Sequence, residues 1–262
     1  MRPLVELDTT GARAVFTDVD DTLTFADGDK HGLVPEAFSA IAQLKEAGFI
    51  VVPVTGRPAG WAEMLAATWP VDAVVAENGA IAIVPEPVSG RRPFLRRIFF
   101  NSAPPDRMQL DATRDAILAK FPFAKLAGDQ WLRICDLAFD IGETQSLATS
   151  QVDQMASFAE SLGARHTRST VHLHISFSDH DKAKMLLALS RDRFALHAPT
   201  SECIFVGDSE NDQAGFSQFS LSVGVANVRK FEAVLRPPPA FVTSLAGGLG
   251  FAQLAAHLLR AK

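Results

Sequence analysis

Three short apolar segments of the chain each end in a cluster of polar residues, and this pattern constrains the fold most strongly. The segments cover residues 14–16, 49–54 and 203–206. Short continuous apolar runs are typical of strands that are buried on both faces. Apolar residues at helical spacing over Pro35–Ala47 indicate a helix between the first two runs. The sequence therefore predicts an α/β fold, in which helices cover both faces of a parallel sheet.

The α/β pattern is interrupted after about residue 81 and resumes after Asp179. The intervening chain has strand-like and helical stretches, which are Arg96–Phe100, Asp106–Lys120, Trp131–Ile141, Gln151–Leu162 and Thr170–Phe177. Glycine and proline cluster at 85–93, as expected where a chain crosses between domains. Because an insertion into a surface loop costs little loop-closure entropy, we predict a core of residues 1–82 and 178–262 with an inserted α+β domain at 83–177.

Asp18 and Asp20 come directly after the first apolar segment. Ligands of open α/β sheets bind at the carboxyl ends of the strands, and alternation along an extended chain places these two carboxylates on the same side. A cation between them would relieve their repulsion, and Mg²⁺ suits such a site because it prefers oxygen ligands and also accepts a phosphate oxygen. One carboxylate can then attack phosphorus while the other transfers protons. Taken alone, the pattern also describes an acidic turn capped by Thr22.

Three further elements could complete a phosphate site. Thr55 and Gly56 follow the second segment and offer a hydroxyl and backbone amides to phosphate oxygens. Lys182, near the start of a helix, can neutralise a phosphoryl group, and Lys184 is a second candidate. Gly207–Asp212 follows the third segment and combines a glycine turn with more oxygen ligands. Separately these are an ordinary turn and a solvated helix face, but the clusters that follow strands are expected to converge at one sheet edge.

In this order the four elements resemble the motifs of the haloacid dehalogenase superfamily of phosphohydrolases. The matching residues are Asp18–Thr22, Thr55, Lys182 and Gly207–Asp212. The resemblance implies that Asp18 is a nucleophile that forms an aspartyl-phosphate, and that Asp20 protonates the leaving alcohol and then activates water. It implies Mg²⁺ as cofactor, with ligands at Asp18, Asp20, Asp208 and Asp212. The phosphate-binding residues that it implies are Thr55, Gly56, Lys182 and Asn211.

The insertion lies between the second and third motifs, as in members that carry a C2-type cap on a Rossmann-like core. Three phrases are similar to the type IIB branch, namely Glu77–Ala80, Cys135–Asp140 and Gly247–Phe251. That branch includes Cof-like, sucrose-phosphate and mannosyl-3-phosphoglycerate phosphatases. Asp21 departs from the branch, which usually has glycine there; its side chain either adds negative charge beside the implied metal or turns outward to solvent. The presence of Asp20 favours phosphate chemistry over dehalogenation.

The inserted domain is expected to select the substrate, and its candidate contacts are His172, His174 and Arg133. Residues 171–176 alternate, with Val, Leu and Ile on one face and the two histidines and a serine on the other. The histidine face either looks at the active site, where it would bind a sugar hydroxyl or an anionic group, or is turned to solvent. A transition-metal site at these histidines lacks an apparent third ligand.

Composition and charge argue against two classes of partner. The chain has 25 basic and 30 acidic side chains, and this net charge of −5 argues against a nucleic-acid binder. The arginines at 91–97 are interpreted as part of a solvated linker. No apolar run reaches the roughly 18 residues needed to cross a bilayer, and no signal peptide is apparent. We therefore expect a cytoplasmic protein without a membrane partner; no oligomeric state is predicted, because no patch identifies an interface.

The predicted function is that of a Mg²⁺-dependent phosphatase acting on a small-molecule phosphate monoester. A sugar phosphate is favoured by the branch that the chain resembles. A phosphomutase is the alternative enzyme, because type IIB caps also occur on phosphomannomutases. A catalytically silent ligand-binding regulator is the third alternative, and the competent residues at every catalytic position argue against it.

Overall fold

The computed structural model of the protein describes residues 1–27, 30–169 and 171–260. The strands are β1 (Arg2–Pro3), β2 (Ala14–Thr17), β3 (Thr24–Asp27), β4 (Lys30–Leu33), β5 (Ile50–Pro53), β6 (Val74–Ala76), β7 (Ile81–Glu86), β8 (Phe94–Phe99), β9 (Leu137–Asp140), β10 (Arg165–Arg168), β11 (His172–Ser176), β12 (Cys203–Gly207), β13 (Leu221–Gly224) and β14 (Phe241–Val242). The α-helices are α1 (Pro35–Glu46), α2 (Ala59–Thr68), α3 (Arg107–Lys120), α4 (Thr149–Ser161), α5 (Lys182–Asp192), α6 (Pro199–Glu202), α7 (Gln213–Gln218) and α8 (Gly247–Arg260).

Six parallel strands form the central sheet, in the order β1–β14–β13–β12–β2–β5. Successive side chains of these strands point to opposite faces. Val15 of β2 packs with α1, α2 and α8 on one face, whereas Phe16 packs with α5 and α7 on the other. Both faces are therefore buried, which explains why the strands are continuous apolar runs in the sequence. The predicted α/β fold is confirmed.

The carboxyl ends of three adjacent strands define the edge at which the polar clusters meet. β12, β2 and β5 are parallel neighbours, so their last residues lie side by side. The amide of Asp18, just beyond β2, donates to the carbonyl of Val206 in β12 at 2.8 Å. The amide of Val54, just beyond β5, donates to Thr17 at 2.8 Å. The sheet thus positions all three clusters at one edge, as the sequence predicted.

A second, antiparallel sheet of β6, β7 and β8 extends the core. Val75 in β6 forms a bridge with Val54 at the end of β5, which joins the two sheets. Ala82 and Ile83 in β7 lie in the two core clusters. The domain boundary predicted between residues 82 and 83 falls inside β7, because the Gly/Pro-rich stretch after β7 was interpreted as the crossing. We propose that the inserted domain begins only after β8.

The inserted domain has an apolar core of its own. Its sheet, in the order β10–β11–β9, is antiparallel and packs against α3 and α4. Leu173 and Ile175 of β11 lie in this core, as the alternation predicted. The strand predicted over Thr170–Phe177 is β11, and residue 170 lies outside the described residues. Among the helices that the structure describes, none is both long and apolar enough to cross a membrane.

The strand predicted over Trp131–Ile141 is wrong in its first half. Residues 130–132 form a 3-10 turn, and only β9 is a strand. The amides of Ile134, Cys135 and Asp136 donate to the carboxylate of Glu77 instead of to a neighbouring strand. A side chain from a distant segment therefore replaces the sheet partner that the alternation in the sequence suggested.

Candidate active site

Three buried carboxylates surround one buried ammonium group at the carboxyl edge of the sheet. The Nζ atom of Lys182 lies 2.6 Å from Asp18 Oδ1 and 2.7 Å from Asp212 Oδ1. Asp208 completes the group, and carboxylate oxygens of the three acids lie within 4.8 Å of one another. Lys182 is the first residue of α5, and Asp181 caps this helix by accepting the amide of Lys184 at 2.8 Å. Of the two candidate lysines, only Lys182 reaches the acids, because Lys184 pairs at the surface with Asp179 at 2.9 Å.

The charge balance of this cluster favours a bound cation. Burial raises the pKa of Asp18 well above its ordinary value, and Asp212 and Asp208 add to this against the opposing effect of Lys182. Burial and the neighbouring Asp212 also raise the pKa of Asp208 to about 8. Burial acts to lower the pKa of Lys182, but the neighbouring Asp18 and Asp212 outweigh this effect and raise it. With all three acids ionised, the single ammonium group leaves two negative charges, which a divalent cation with oxygen ligands would neutralise.

The loop after β12 holds Asp208 and Asp212 in different ways. Asp212 Oδ2 accepts the amides of Asp208 at 2.9 Å and of Ser209 at 3.3 Å, so this side chain closes the loop as well as binding Lys182. A Cβ atom at Gly207 would lie 2.4 Å from Asp212 Oδ2, which explains the requirement for glycine there. Asn211 is half-buried, and its Oδ1 accepts from the Ser209 hydroxyl at 2.8 Å.

Asp20 lies beside the second cluster of the sheet edge. The Thr55 hydroxyl is 3.3 Å from Asp20 Oδ2, and the Arg57 guanidinium donates to Asp20 Oδ1 at 2.9 and 3.0 Å. Arg57 also lies over the Trp61 ring, 5.1 Å from its centroid. The carboxylate of Asp20 is not one of the buried acids that approach within 4.8 Å of one another. Its side chain is 47% exposed and therefore accessible to a substrate.

The polar face of β11 is buried and is not turned to solvent. His172 and His174 are only 2% and 5% exposed. His172 Nε2 lies 3.0 Å from Glu143 Oε2, and Glu143 in turn lies 3.4 Å from Arg57 of the core. His174 Nδ1 lies 2.8 Å from Asp136 Oδ2. Both histidines are thus engaged with carboxylates, and through Glu143 the inserted domain reaches the partner of Asp20.

Arg133 is buried against protein groups. Its Nη1 donates to the carbonyl of Gly56 at 3.0 Å and to Asp136 Oδ1 at 3.1 Å. Burial acts to raise the pKa of Asp136, but Arg133 and His174 outweigh this effect and hold the pKa below its ordinary value. The guanidinium therefore bridges the inserted domain and the loop that carries Thr55.

Comparisons with known proteins agree with this fold. A family model described as haloacid dehalogenase-like hydrolase matches residues 15–90, which contain the first two motifs. A structure of Thermoplasma acidophilum 0175 is 20% identical, with a TM-score of 0.74, and the match covers 95% of this chain and 98% of that one. The fold is that of a haloacid dehalogenase-like hydrolase. The resemblance predicted from the four motifs is confirmed. No curated protein matches the chain by sequence.

Two further structures with this fold have functional descriptions. The sucrose-phosphatase of Synechocystis sp. PCC6803, in complex with sucrose and phosphate, is 17% identical, with a TM-score of 0.64, over 94% of this chain and 97% of that one. A sugar phosphatase of HAD subclass IIB is 14% identical, with a TM-score of 0.65, over 94% of this chain and 98% of that one. The chain therefore spans nearly the full length of both haloacid dehalogenase-like relatives.

Asp21, in the turn after β2, has a positive φ. Its φ is +57°, in the left-handed region that glycine adopts without steric cost and aspartate tolerates better than most residues. The carboxylate of Asp21 adds to the raised pKa of Asp208, after burial and Asp212. The backbone conformation at this position would suit glycine, and the aspartate increases the negative charge of the site.

Sequence reasoning missed two side chains that hold the site together. Asn227 Nδ2 donates to Asp208 Oδ2 at 2.9 Å and to the carbonyl of Asp21 at 3.0 Å. Its Oδ1 accepts the amide of Gly247 at 3.0 Å, which fixes the start of α8 against the site. Arg57, which directly follows Thr55 and Gly56, is the second, and its pair with Asp20 was not predicted. Neither contact has a local signal, because each joins segments that are far apart in the chain.

Proposed function

We propose that the chain is a Mg²⁺-dependent phosphatase that hydrolyses a small-molecule phosphate monoester, with a sugar phosphate as the substrate class. The observation that carries the proposal is the buried carboxylate of Asp18 at the end of β2, held by Lys182 and adjoining Asp208. Asp20 and Thr55 lie at the same sheet edge. A nucleophile, a proton carrier and phosphate-binding donors are thus present together.

In the first step Asp18 attacks phosphorus. Its Oδ1 is bound to Lys182, so Oδ2 is the oxygen that forms the new bond. The bond from phosphorus to the ester oxygen breaks, the electron pair goes to that oxygen, and Asp20 delivers its proton to the leaving alcohol. Arg57 must release Asp20 Oδ1 for this transfer, and the Thr55 hydroxyl turns from Asp20 Oδ2 to a phosphate oxygen. The products are the free alcohol and an aspartyl-phosphate on Asp18.

In the second step water cleaves the aspartyl-phosphate. Asp20, now a carboxylate, takes a proton from water as its oxygen attacks phosphorus. The bond between phosphorus and Asp18 breaks and returns the electron pair to the carboxylate, so inorganic phosphate leaves and the nucleophile is restored. The Thr55 hydroxyl, the Gly56 amide and the ammonium group of Lys182 hold the phosphate oxygens in both steps.

The residues present fit Mg²⁺. Asp18, Asp208 and the backbone carbonyl of Asp20 would hold it, and Asp212 would contact it directly or through a water molecule. When bound, the cation supplies positive charge that offsets both the clustered carboxylates and the phosphate. The excess negative charge of the buried acids and the raised pKa of Asp208, to about 8, support this assignment.

The choice of a sugar phosphate rests on the inserted domain and on the functions of two structural relatives. Glu143, which lies 3.0 Å from His172 Nε2, contacts Arg57 beside Asp20, where the leaving alcohol would lie. Its partly exposed carboxylate suits the hydroxyls of a sugar. The relatives described as a sucrose-phosphatase and a sugar phosphatase support the same class.

Phosphate release from a panel of esters tests the proposal. Sugar phosphates, phosphoglycolate, nucleotides and an aryl phosphate are each assayed with Mg²⁺ and with a chelator. We expect Mg²⁺-dependent release that is fastest with a sugar phosphate and is abolished in Asp18→Asn. Asp72→Asn is the matched control, because this carboxylate braces Lys45 and the Val51 amide away from the site. Isomerisation of a sugar 1-phosphate without net release would indicate a mutase instead, and tight binding without turnover a silent regulator.

A further inference from the structure

The turn at residues 77–79 contacts both the loop that carries Thr55 and the residue that precedes Lys182. Glu77 and Asn78 have φ values of +49° and +56°, in the left-handed region. Gly79 has a φ of +104°, and a Cβ atom there would lie 2.2 Å from the carbonyl oxygen of Asp181. The turn therefore packs directly against the residue that precedes Lys182. Such strain persists only where the surrounding contacts enforce it.

The backbone of this turn also holds the phosphate-binding loop. The amide of Glu77 donates to the carbonyl of Arg57 at 3.0 Å, and the amide of Asn78 donates to the carbonyl of Thr55 at 3.1 Å. With both carbonyls engaged by the turn, Thr55 and Arg57 cannot shift without breaking these bonds. The positions of these two residues therefore depend on the conformation of Glu77.

The carboxylate of Glu77 joins this loop to the inserted domain. It is completely buried and accepts four backbone amides. Oε1 accepts from Ala59, at the start of α2, and from Ile134, each at 2.9 Å. Oε2 accepts from Cys135 at 2.5 Å and from Asp136 at 3.0 Å. A single side chain thus fixes residues 134–136 against the start of the helix that follows the phosphate-binding loop.

Arg133 forms a parallel connection between the same two segments. It donates to the Gly56 carbonyl at 3.0 Å and to Asp136 at 3.1 Å, and Asp136 in turn contacts His174 of β11. The carbonyl of Gly56 is thereby turned toward the inserted domain. A substrate contact by Arg133 is not needed to explain its burial.

We propose that Glu77 is a positioning residue that, together with Arg133, holds the Thr55–Arg57 loop in its phosphate-binding geometry against the inserted domain. This inference rests on the proposed phosphatase function. Glu77 acts through the loop and need not contact the substrate, since its oxygens are occupied by backbone amides. A displacement of the loop by about 1 Å would be enough to lower turnover by about 100-fold.

Glu77→Gln tests the inference, because glutamine has the same shape but replaces one acceptor oxygen with an NH₂ group that cannot accept. We expect kcat for an aryl phosphate to fall by about 100-fold and the inhibition constant of inorganic phosphate to rise by about tenfold, equivalent to one lost charged hydrogen bond. The Mg²⁺ activation constant should stay within about twofold, because Asp208 lies on another loop. Asp72→Asn is the control and should leave all three constants unchanged.

The outcomes separate this inference from the proposed function. Unchanged kcat and unchanged phosphate inhibition in folded Glu77→Gln would overturn the positioning role while leaving the phosphatase intact. If the wild-type protein releases no phosphate, calorimetric titration with inorganic phosphate and Mg²⁺ replaces the kinetics: weaker binding by Glu77→Gln supports the role, and equal binding or none by either protein overturns it. If Glu77→Gln does not fold, Arg133→Lys is measured, because lysine keeps the charge but cannot span Gly56 and Asp136. Unchanged constants in that variant would also overturn the inference.

Discussion

Replacing Lys182 with methionine tests the electrostatics of the site most directly. Lys182 is 1% exposed and its ammonium group lies 2.6 Å from Asp18 and 2.7 Å from Asp212. Methionine fills similar volume but leaves two buried acids without their cation. Removing one partner of a buried ion pair costs about 3–5 kcal/mol, which corresponds to a fall of about 10 °C in Tm for a chain of this size.

The loss of stability in Lys182→Met should become larger as the pH rises. The pKa of Asp18 is already raised by burial and by the neighbouring acids, and loss of Lys182 raises it further. For a carboxyl whose folded pKa is raised, the stability it contributes is fully present below its unfolded pKa, near 3.8, and is lost as pH rises through the folded value. Lys182→Met should therefore lose less free energy of unfolding, relative to wild type, at pH 5 than at pH 8.

Thermal and urea unfolding with a chelator at pH 5 and pH 8 measure this difference. Lys184→Met is the matched control, because Lys184 lies on the same helix but pairs with Asp179 at the surface, and its loss should cost less than about 1 kcal/mol. Equal destabilisation of the two variants, or a Lys182→Met penalty that is the same at both pH values, would refute the reasoning. Turnover by Lys182→Met should be lost at either pH.

Three further predictions concern the metal, the turn after the nucleophile and the inserted domain. Asp208→Asn should raise the Mg²⁺ activation constant and abolish the increase in Tm that Mg²⁺ gives the wild type; an unchanged constant would argue against Asp208 as a ligand. Asp21→Gly should be more stable than Asp21→Ala by about 1 kcal/mol in urea unfolding, because φ at this position is +57°. His172→Ala should raise KM for the preferred sugar phosphate and leave hydrolysis of an aryl phosphate nearly intact; an equal loss on both substrates would indicate a structural role.

The sequence predicted the sheet edge well because its signals are local. Apolar runs that end in polar residues identified β2, β5 and β12, and parallel pairing then brought Asp18, Thr55 and Asp208 to one edge. The third motif offered two lysines, Lys182 and Lys184, and their positions near the start of the helix did not distinguish them. The structure distinguishes them through burial, since only Lys182 reaches the acids.

The contacts that the sequence could not predict join distant segments. Arg133 and Gly56 are 77 residues apart, and Glu77 and Ile134 are 57 apart. Neither pair follows from periodicity or from a motif. The same kind of contact explains why residues 131–136 are not a strand, since a carboxylate from the core takes their amides. The placement of β7 in the core depended on its pairing with β6, which alternation alone does not specify.

The edge of the sheet is organised for chemistry at the expense of local stability. Three of the non-glycine residues with left-handed φ in the described chain, Asp21, Glu77 and Asn78, lie in loops at this edge. The buried acids with raised pKa, Asp18 and Asp208, lie there too. Each of these features costs free energy in the isolated fold. A divalent cation bound at Asp18 and Asp208 would offset the cost of the buried charges. Ligand and metal should therefore stabilise this protein far more at pH 8 than at pH 5, since only the ionised acids carry the repulsion that a cation relieves.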